Sequence, residues 1–394
     1  MISASAPAGW KEKKLSDCLE KLIDYRGKST PKDSFGYQLI TARNVRFGHI
    51  EFESKEYMNP SDYKEWMTRG FPEPNDVLFT TEAPLGNVAL YPSEGTYALA
   101  QRLVTLRPNK DELDSVYLFY YLLSDYAQNQ VRIRATGSTA TGIRQSELRK
   151  VPVIFPPLTE QRKIAEILST WDEAIAKTGQ LIAALQTRKK SLMQRLLTGE
   201  VRFPGFDGEW EGVRLQDVIE INYGKSPKEI RDENGEFPIF GTGGIVGFTN
   251  EPLCKQNSVI IGRKGSIDQP QLSLTPYWAI DTTFYCTPKN GLDVRWLYYY
   301  LSHKGLARYN EGSTIPSLSR TTLRSLKLFL PSPDEQRKIA DVLQESDLEI
   351  NLHLQRVESI NQQKKGLMQR LLTGQVRVEV DDEVGRTSSE VRPT

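Results

Sequence analysis

From Ile164 onward, apolar side chains recur at alternating steps of four and three: Ile164, Leu168, Trp171, Ile175, Ile182, Leu185, Leu192 and Leu196, with Thr178 and Lys189 at the polar gaps. A second run repeats the spacing at Ile339, Leu343, Ile350, Val357, Ile360, Leu367 and Leu371, interrupted by Ser346, His353 and Lys364. This is the spacing of a heptad seam, and it predicts two long helices. Thr159 and Asp334 read as N-caps after a proline, with Glu160 and Glu335 in the first turns. Arg195 and Arg370 occupy the last turns, and Gly199 and Gly374 read as C-caps. Each helix is then about 38 residues, roughly 57 Å at 1.5 Å per residue. Helices of that length cannot bury a stripe inside one small domain, so they pack most simply on each other. Lys189 and Lys364, at matched seam positions, either fix register and orientation or snorkel to solvent. His353 reads as a tolerated polar seam residue.

The two runs are copies. Sliding the chain by 175 residues lays "PPLTEQRKIAEIL" on "PSPDEQRKIADVL" and "LMQRLLTG" on itself, with 23 of 48 positions identical from Pro156 to Phe203. Such self-similarity marks a duplicated unit, and a twofold relation between copies makes the helix pair antiparallel. The likeness extends outward at changing offsets. Trp10 and Leu15 meet Trp210 and Leu215 at 200, "FYYLLS" meets "LYYYLS" at 178, and the two Gly-Ser-Thr runs (137 to 139, 312 to 314) meet at 175. Each helix is preceded by a divergent insert, about 10 to 155 and 210 to 330. Each carries β-like runs such as "VPVIFP" and "SVIIGRKG" and one helical patch, "VYLFYYLLSDYAQNQ" or "VRWLYYYLSHKG", whose tyrosines read as buried. The expected fold class is α+β: two α/β-type domains (1–157 and 204–332) separated by two long conserved helices (158–203 and 333–378). The helices pack as an antiparallel coiled coil with pseudo-twofold symmetry, and a tail over 379–394 is expected to be disordered.

Composition narrows function. The 394-residue chain is 38% hydrophobic, enough for several cores, and carries a net charge of only +1. No run approaches the roughly 20 apolar residues of a membrane span, so the cytoplasm is the expected location and no membrane partner is expected. Three cysteines and three histidines lie scattered without metal-ligand spacing. Charge is informative only locally. Residues 126 to 150 hold Arg132, Arg134, Arg144, Arg149 and Lys150 against Glu147 alone; residues 303 to 327 hold Lys304, Arg308, Arg320, Arg324 and Lys327 against Glu311 alone. With Ser138 and Thr139 in the first stretch and Ser313 and Thr314 in the second, both suit phosphate contact. Arg26 and Lys28 in "YRGKSTP", Lys225 in "YGKSP", Arg43, Asn44 and Arg46 in "TARNVR", and Arg263 and Lys264 in "GRKGS" join the candidates, since Arg, Lys and Asn read purine edges in the major groove.

Catalytic motifs are incomplete. "GKST" at 27 to 30 ends like a phosphate-binding loop, but the required first glycine falls on Leu22. "FGTGG" at 240 to 244 has no βαβ frame around it, and "PDEQRK" at 333 to 338 is a helix start. No Asn/Asp-Pro-Pro-aromatic tetrapeptide of an amino-methyltransferase is present.

Two variable domains alternating with "EQRKIA" helices that end in "LMQRLLTG", together with "GRKGS" and "TARNV", strongly resemble the specificity subunit of type I restriction-modification systems over roughly residues 10 to 378. That resemblance implies two target-recognition domains, each reading half of an asymmetric bipartite site in double-stranded DNA, with the coiled coil setting the gap. It implies two methyltransferase subunits that flip and methylate adenine at N6 with S-adenosylmethionine, and motor-nuclease subunits using ATP and Mg²⁺. No cofactor is expected on this chain, which is read as non-catalytic. The expected coiled-coil and partner-docking residues are Gln161, Ile164, Leu168, Ile175, Leu192 and Leu196 on the first helix, and Gln336, Ile339, Leu343, Ile350, Leu367 and Leu371 on the second. The alternatives are a self-contained methyltransferase or nuclease with unrecognised motifs, and a coiled-coil scaffold that binds only proteins.

Overall fold

The computed structural model describes residues 6–25, 29–137, 141–289 and 291–379. Two 40-residue helices, Leu158–Leu197 and Pro333–Leu372, run through it, here called the central and distal helices. The chain divides into two compact units, Met1–Lys177 with Val357–Thr394 and Thr178–Arg356. Each unit therefore holds one end of both helices. The N-cap of each helix falls two residues before the expected Thr159 and Asp334: Gln161 N donates to Pro157 O (3.0 Å) and Gln336 N to Ser332 O (2.9 Å). Thr159 and Asp334 thus lie inside the first turn, and Pro333 opens the distal helix at a position that needs no N–H. Both C-termini close as expected, Gly199 and Gly374 taking left-handed φ of 74° and 69°.

In the first unit a ribbon pairs Lys11–Lys14 with Pro152–Phe155. Beside it stands a four-stranded antiparallel sheet in the order Leu19–Asp24, Leu103–Pro108, Val77–Thr80, Val88–Leu90. A second sheet orders Tyr57–Met58, Tyr37–Ile40 and Tyr97–Leu99, the last two parallel. The second unit repeats this plan. Its ribbon is Glu211–Arg214 with Lys327–Leu330, and its four strands are Ile219–Tyr223, Thr283–Pro288, Ser258–Gly262 and Gln271–Ser273. Its mixed sheet is Gly244–Thr249, Phe237–Gly241 and Trp278–Ala279. Val77–Thr80 and Ser258–Gly262 are buried along their whole length, which is why they read as unbroken apolar runs. "FGTGG" is a hairpin: Gly241 pairs with Gly244 across Thr242 and Gly243.

The tyrosine-rich patches are buried helices. Asp114 caps Ser115–Leu123 and Asp293 caps Val294–Lys304, each carboxylate accepting from two backbone N–H groups. The first patch breaks at Ser124, which caps a separate helix, Asp125–Arg134. Hydrogen bonds also correct the alignment. Tyr121 and Tyr300 hydroxyls donate to the carbonyls of Pro152 and Lys327. Tyr121 therefore matches Tyr300 at an offset of 179, one more than letter matching suggested.

Within each unit the helices run antiparallel. Ile164 and Leu168 share a core with Leu371 and Leu372, flanked by Leu367; Leu196 shares one with Ile339 and Leu343, flanked by Leu192. Both cores extend into the adjoining domain, through Tyr117 and Leu118 in one case and Trp296 and Leu297 in the other. Polar side chains then lock the pairing. Arg377, beyond the end of the distal helix, grips Glu160 at the start of the central helix through Nε and a terminal nitrogen (2.6 and 2.7 Å). Arg202 grips Glu335 in the same way (2.9 and 2.7 Å). Both carboxylates are buried. The seam lysines do not snorkel: Lys364 pairs with Asp172 and lies over the Tyr120 ring, and Lys189 pairs with Asp347 and lies over the Tyr299 ring. The Tyr120 and Tyr299 hydroxyls donate to those same aspartates (2.6 and 2.7 Å). Burial, reinforced by the neighbouring carboxylate, raises both phenol pKa values far above the usual range, so they remain donors.

Gln161 and Gln336, expected on a partner-docking surface, are buried instead. Gln161 accepts from Asp114 N (2.8 Å) and donates to the carbonyls of Glu112 and Pro156; Gln336 accepts from Asp293 N (2.9 Å) and donates to Pro331 O. They fasten each domain's capped helix to the adjacent long helix. Ile164, Leu168, Leu196, Ile339, Leu343, Ile350 and Leu371 are likewise buried within this chain, while Ile175, Leu192 and Leu367 are half-buried.

Arg377→Leu strands the buried Glu160 carboxylate, so it is expected to lower the thermal midpoint, and adding Glu160→Leu should restore most of it, because removing both members of such a pair is far milder than removing one. Calorimetry of the three variants measures this; equal loss in the single and double variants would mean the pair does not lock the helices.

Candidate nucleic-acid interface

In the second unit the chain reverses repeatedly at one end of the four-stranded sheet. Ile219–Tyr223 ends in the exposed Tyr223, and Gly224 follows where a Cβ would lie 2.0 Å from Ile280 O, so only glycine fits. Lys225 N donates to Ala279 O (2.9 Å), which brings its exposed side chain to this edge. Ser258–Gly262 runs out into Arg263 and Lys264. Arg263 is held on both sides by backbone, its N–H donating to Thr282 O (2.8 Å) and its carbonyl accepting from Leu318 N (2.9 Å). Lys264 bridges Ser317. Arg263 and Arg320 both stack on the Tyr223 ring, their guanidinium carbons 5.7 and 5.0 Å from its centroid. The ring quadrupole attracts each cation, and neither is paired with a carboxylate among the described residues. Arg263 Nε is buried without a hydrogen-bond partner there. A ring, two guanidinium groups and two lysines thus gather from segments far apart in sequence.

Ser313 and Thr314 sit on an exposed loop held by Asn310, whose Oδ1 accepts from Gly312 N and Ser317 N (both 2.9 Å). Glu311 beside it is pulled below its usual pKa by hydrogen bonds from Thr322 and then Ser319. The remaining charges of the basic stretch lie elsewhere: Arg324 donates to Gln216 Oε1 (3.3 Å), and Lys304 lies over Tyr300 and donates to Lys327 O. The local excess read from sequence is therefore not one patch.

The first unit holds the same backbone frame with different side chains. Thr81 N donates to Arg102 O (3.0 Å), Ile143 N donates to Thr81 O (2.9 Å), and Glu82 bridges Gly142. Thr81, Glu82 and Arg102 occupy the places of Arg263, Lys264 and Thr282. Where the second domain exposes cations, the first exposes an ion pair, Glu82 Oε1 to Arg102 Nε at 3.0 Å. Neither these residues nor Tyr223 stood out in the sequence, because their neighbours come from topology.

Asn44 is a correction. It is buried: Oδ1 accepts from Thr41 N and Oγ1 (3.0 and 2.7 Å), and Nδ2 donates to the carbonyls of Glu51 and Ser54 (both 2.9 Å). All its hydrogen-bonding capacity goes to its own loop, leaving none for a base. Arg46 is exposed but paired with Glu51, whereas Arg43 and Arg144 are exposed. Arg134 folds back on Gln130, and Arg132 lines a groove with Tyr126, Asp172 and Lys364. Arg26, Lys28, Ser138 and Thr139 lie outside the described residues, as does the tail from 380.

The family model described as the type I restriction modification DNA specificity domain matches residues 7–187 and 207–362. Among curated relatives, the chain is 27% identical to a putative type I restriction enzyme MjaX specificity subunit of Methanocaldococcus jannaschii, over 94% of this chain and 95% of that one. It is 27% identical to the type I restriction enzyme EcoprrI specificity subunit of Escherichia coli, over 70% and 72%. The crystal structure of a type I restriction-modification system S subunit from M. genitalium superposes with a TM-score of 0.63 at 20% identity, covering 94% of this chain and 97% of that one, which shows a shared fold. Among the described residues no helix is long and apolar enough to cross a membrane.

Asn44→Ala is expected to destabilise the first domain by about 3 kcal/mol, because it leaves several buried backbone groups unpaired. Urea unfolding checks this, and wild-type stability would return Asn44 to the candidate base readers.

Proposed function

The chain belongs to the family of type I restriction modification DNA specificity domains, and from that premise we propose that its two recognition domains each read one half of an asymmetric, bipartite site in double-stranded DNA. The observation that carries this reading is the pair of strand ends, Thr81-Glu82 and Arg263-Lys264, held by equivalent backbone hydrogen bonds but carrying opposite chemistry. One frame with two sets of side chains suits two different half-sites. Arg320, Lys225, Ser313 and Thr314 supply phosphate contacts that set position, and Glu82, Arg263 and Lys264 at the strand ends supply base contacts that set identity. The long helices set the gap between half-sites.

The chemistry belongs to other subunits. Two methyltransferase subunits using S-adenosylmethionine modify adenine at N6, and motor-nuclease subunits using ATP and Mg²⁺ cleave; this chain directs both. Because most seam residues are buried within the chain, partners dock on the outward helix faces, where Leu181, Leu348 and Leu352 are exposed.

Methylome sequencing of cells expressing this chain with its methyltransferase subunit, against the methyltransferase alone, tests the reading; a bipartite N6-methyladenine motif is expected only when the chain is present. Exchanging residues 10 to 155 for another recognition domain should change one half-site, and a change in both counts against two independent readers. In duplex binding by the chain–methyltransferase complex, Arg320→Ala should reduce the slope of log affinity against log salt by about 1. An unchanged slope would remove Arg320 from the phosphate contacts.

A further inference from the structure

We infer that Glu82, oriented by Arg102, is the specificity-determining residue of the first recognition domain and accepts a hydrogen bond from an exocyclic base amine, cytosine N4 or adenine N6, in the major groove. The inference rests on the reading of this chain as a DNA specificity subunit and assigns a base class to one of its positions.

Position comes first. Glu82 is the topological counterpart of Lys264: each follows the central buried strand by two residues, and each bridges the returning loop, at Gly142 or Ser317. In the second domain that position lies beside Arg263, Arg320 and Tyr223, a surface chemically suited to polyanion contact. The first domain places a carboxylate at the same point of the frame.

A carboxylate facing DNA is repelled by phosphates unless a cation accompanies it and a donor awaits it. Arg102 is that cation, 3.0 Å away, with both side chains about half exposed (45% for Glu82 and 52% for Arg102). An ionised carboxylate accepts only, and the donors that base edges offer in the major groove are the amines of cytosine and adenine. The second domain's Arg263 and Lys264 donate only, and match guanine O6 and N7 instead. The two domains therefore read different bases through equivalent strand ends.

The backbone shows that this pair is held in place deliberately. Among the described residues three non-glycine residues have positive φ, and two of them are at the pair: Ala83, next to Glu82, at 45° and Arg102 itself at 74°. Such conformations persist where surroundings over-determine them, and they gather at functional sites. Gly142 adds to the fit, since a Cβ there would lie 3.2 Å from Glu82 Cβ and 3.3 Å from Thr81 O. Any side chain at 142 would crowd Glu82, so glycine keeps the space beside it open.

The test is methylome sequencing of cells carrying the methyltransferase subunit with wild-type chain, Glu82→Ala, Glu82→Gln or Arg102→Ala. With Glu82→Ala, one C or A position in one half-site should lose about ten- to a hundredfold in discrimination while the other half-site stays unchanged. Glu82→Gln, able to donate as well as accept, should favour adenine at that position. Arg102→Ala should weaken discrimination at the same position only, with Arg102→Lys restoring part of it. An unchanged motif in Glu82→Ala, or altered reading in both half-sites, overturns the inference while leaving the specificity-subunit reading intact. If no motif depends on the wild-type chain, that reading and this inference fail together.

Discussion

The fold depends on two buried carboxylates that neither helix can satisfy alone. Glu160 and Glu335 sit 3% and 1% exposed in the first turn of their helices, where an unpaired charge would be intolerable. Each finds a bidentate arginine beyond the far end of the other helix, Arg377 or Arg202. That arrangement exists only if the helices run antiparallel and in one register. A parallel pair would bring the two carboxylates together at one end and the two arginines at the other. Repetition of "EQRK" and "TG" followed by "VR" thus has an internal cause: each copy carries one half of a lock whose other half is in the other copy.

The seam lysines act within the same logic. A lysine at a core heptad position weakens a coiled coil unless something pairs with it. Asp172 and Asp347 do so from the facing helix, and Tyr120 and Tyr299 join each pair to a domain helix. Three elements meet at each lysine. The helix register is therefore tied to domain placement in each unit, and Gln161 and Gln336 make a second tie a few turns away. A recognition domain anchored twice to a long helix presents its loops in one orientation, which reading a base edge requires.

Much of this architecture was legible in the chain and much of the site was not, for physical reasons. Heptad spacing is a local property, so the helices from Leu158 and Pro333 were readable to within two residues at their starts, and the closing glycines were readable outright. Membership of a cross-strand cluster is not local. Tyr223, Arg263 and Arg320 meet because a sheet edge and a returning loop bring them together, and composition carries no trace of that. Residue type misled in the other direction at Asn44: the donor and acceptor that suit adenine suit a tight loop equally well, and burial decided between them. The glutamines of "EQRK" misled likewise, since sharing between copies indicated a common task without saying whether it faced inward or outward.

Backbone bonding explains how one frame carries two different sets of side chains. The strand ends at Thr81 and Arg263 are held by equivalent main-chain hydrogen bonds to residues 102 and 143 in one domain and 282 and 318 in the other. Such contacts are indifferent to the side chain they carry, so threonine and glutamate can stand where arginine and lysine stand without moving the strand. Stability is supplied instead by the apolar strands behind them, Val77–Thr80 and Ser258–Gly262, and by the clamps on the long helices. The Glu82 and Lys264 side chains are consequently free of main-chain anchoring, whereas Thr81 is buried and its hydroxyl donates to Arg102 O (3.3 Å). A surface can change what it recognises without refolding only where positions are fixed by groups common to all residues and chemistry is supplied by groups that differ. This domain separates the two at a single bond, Cα to Cβ.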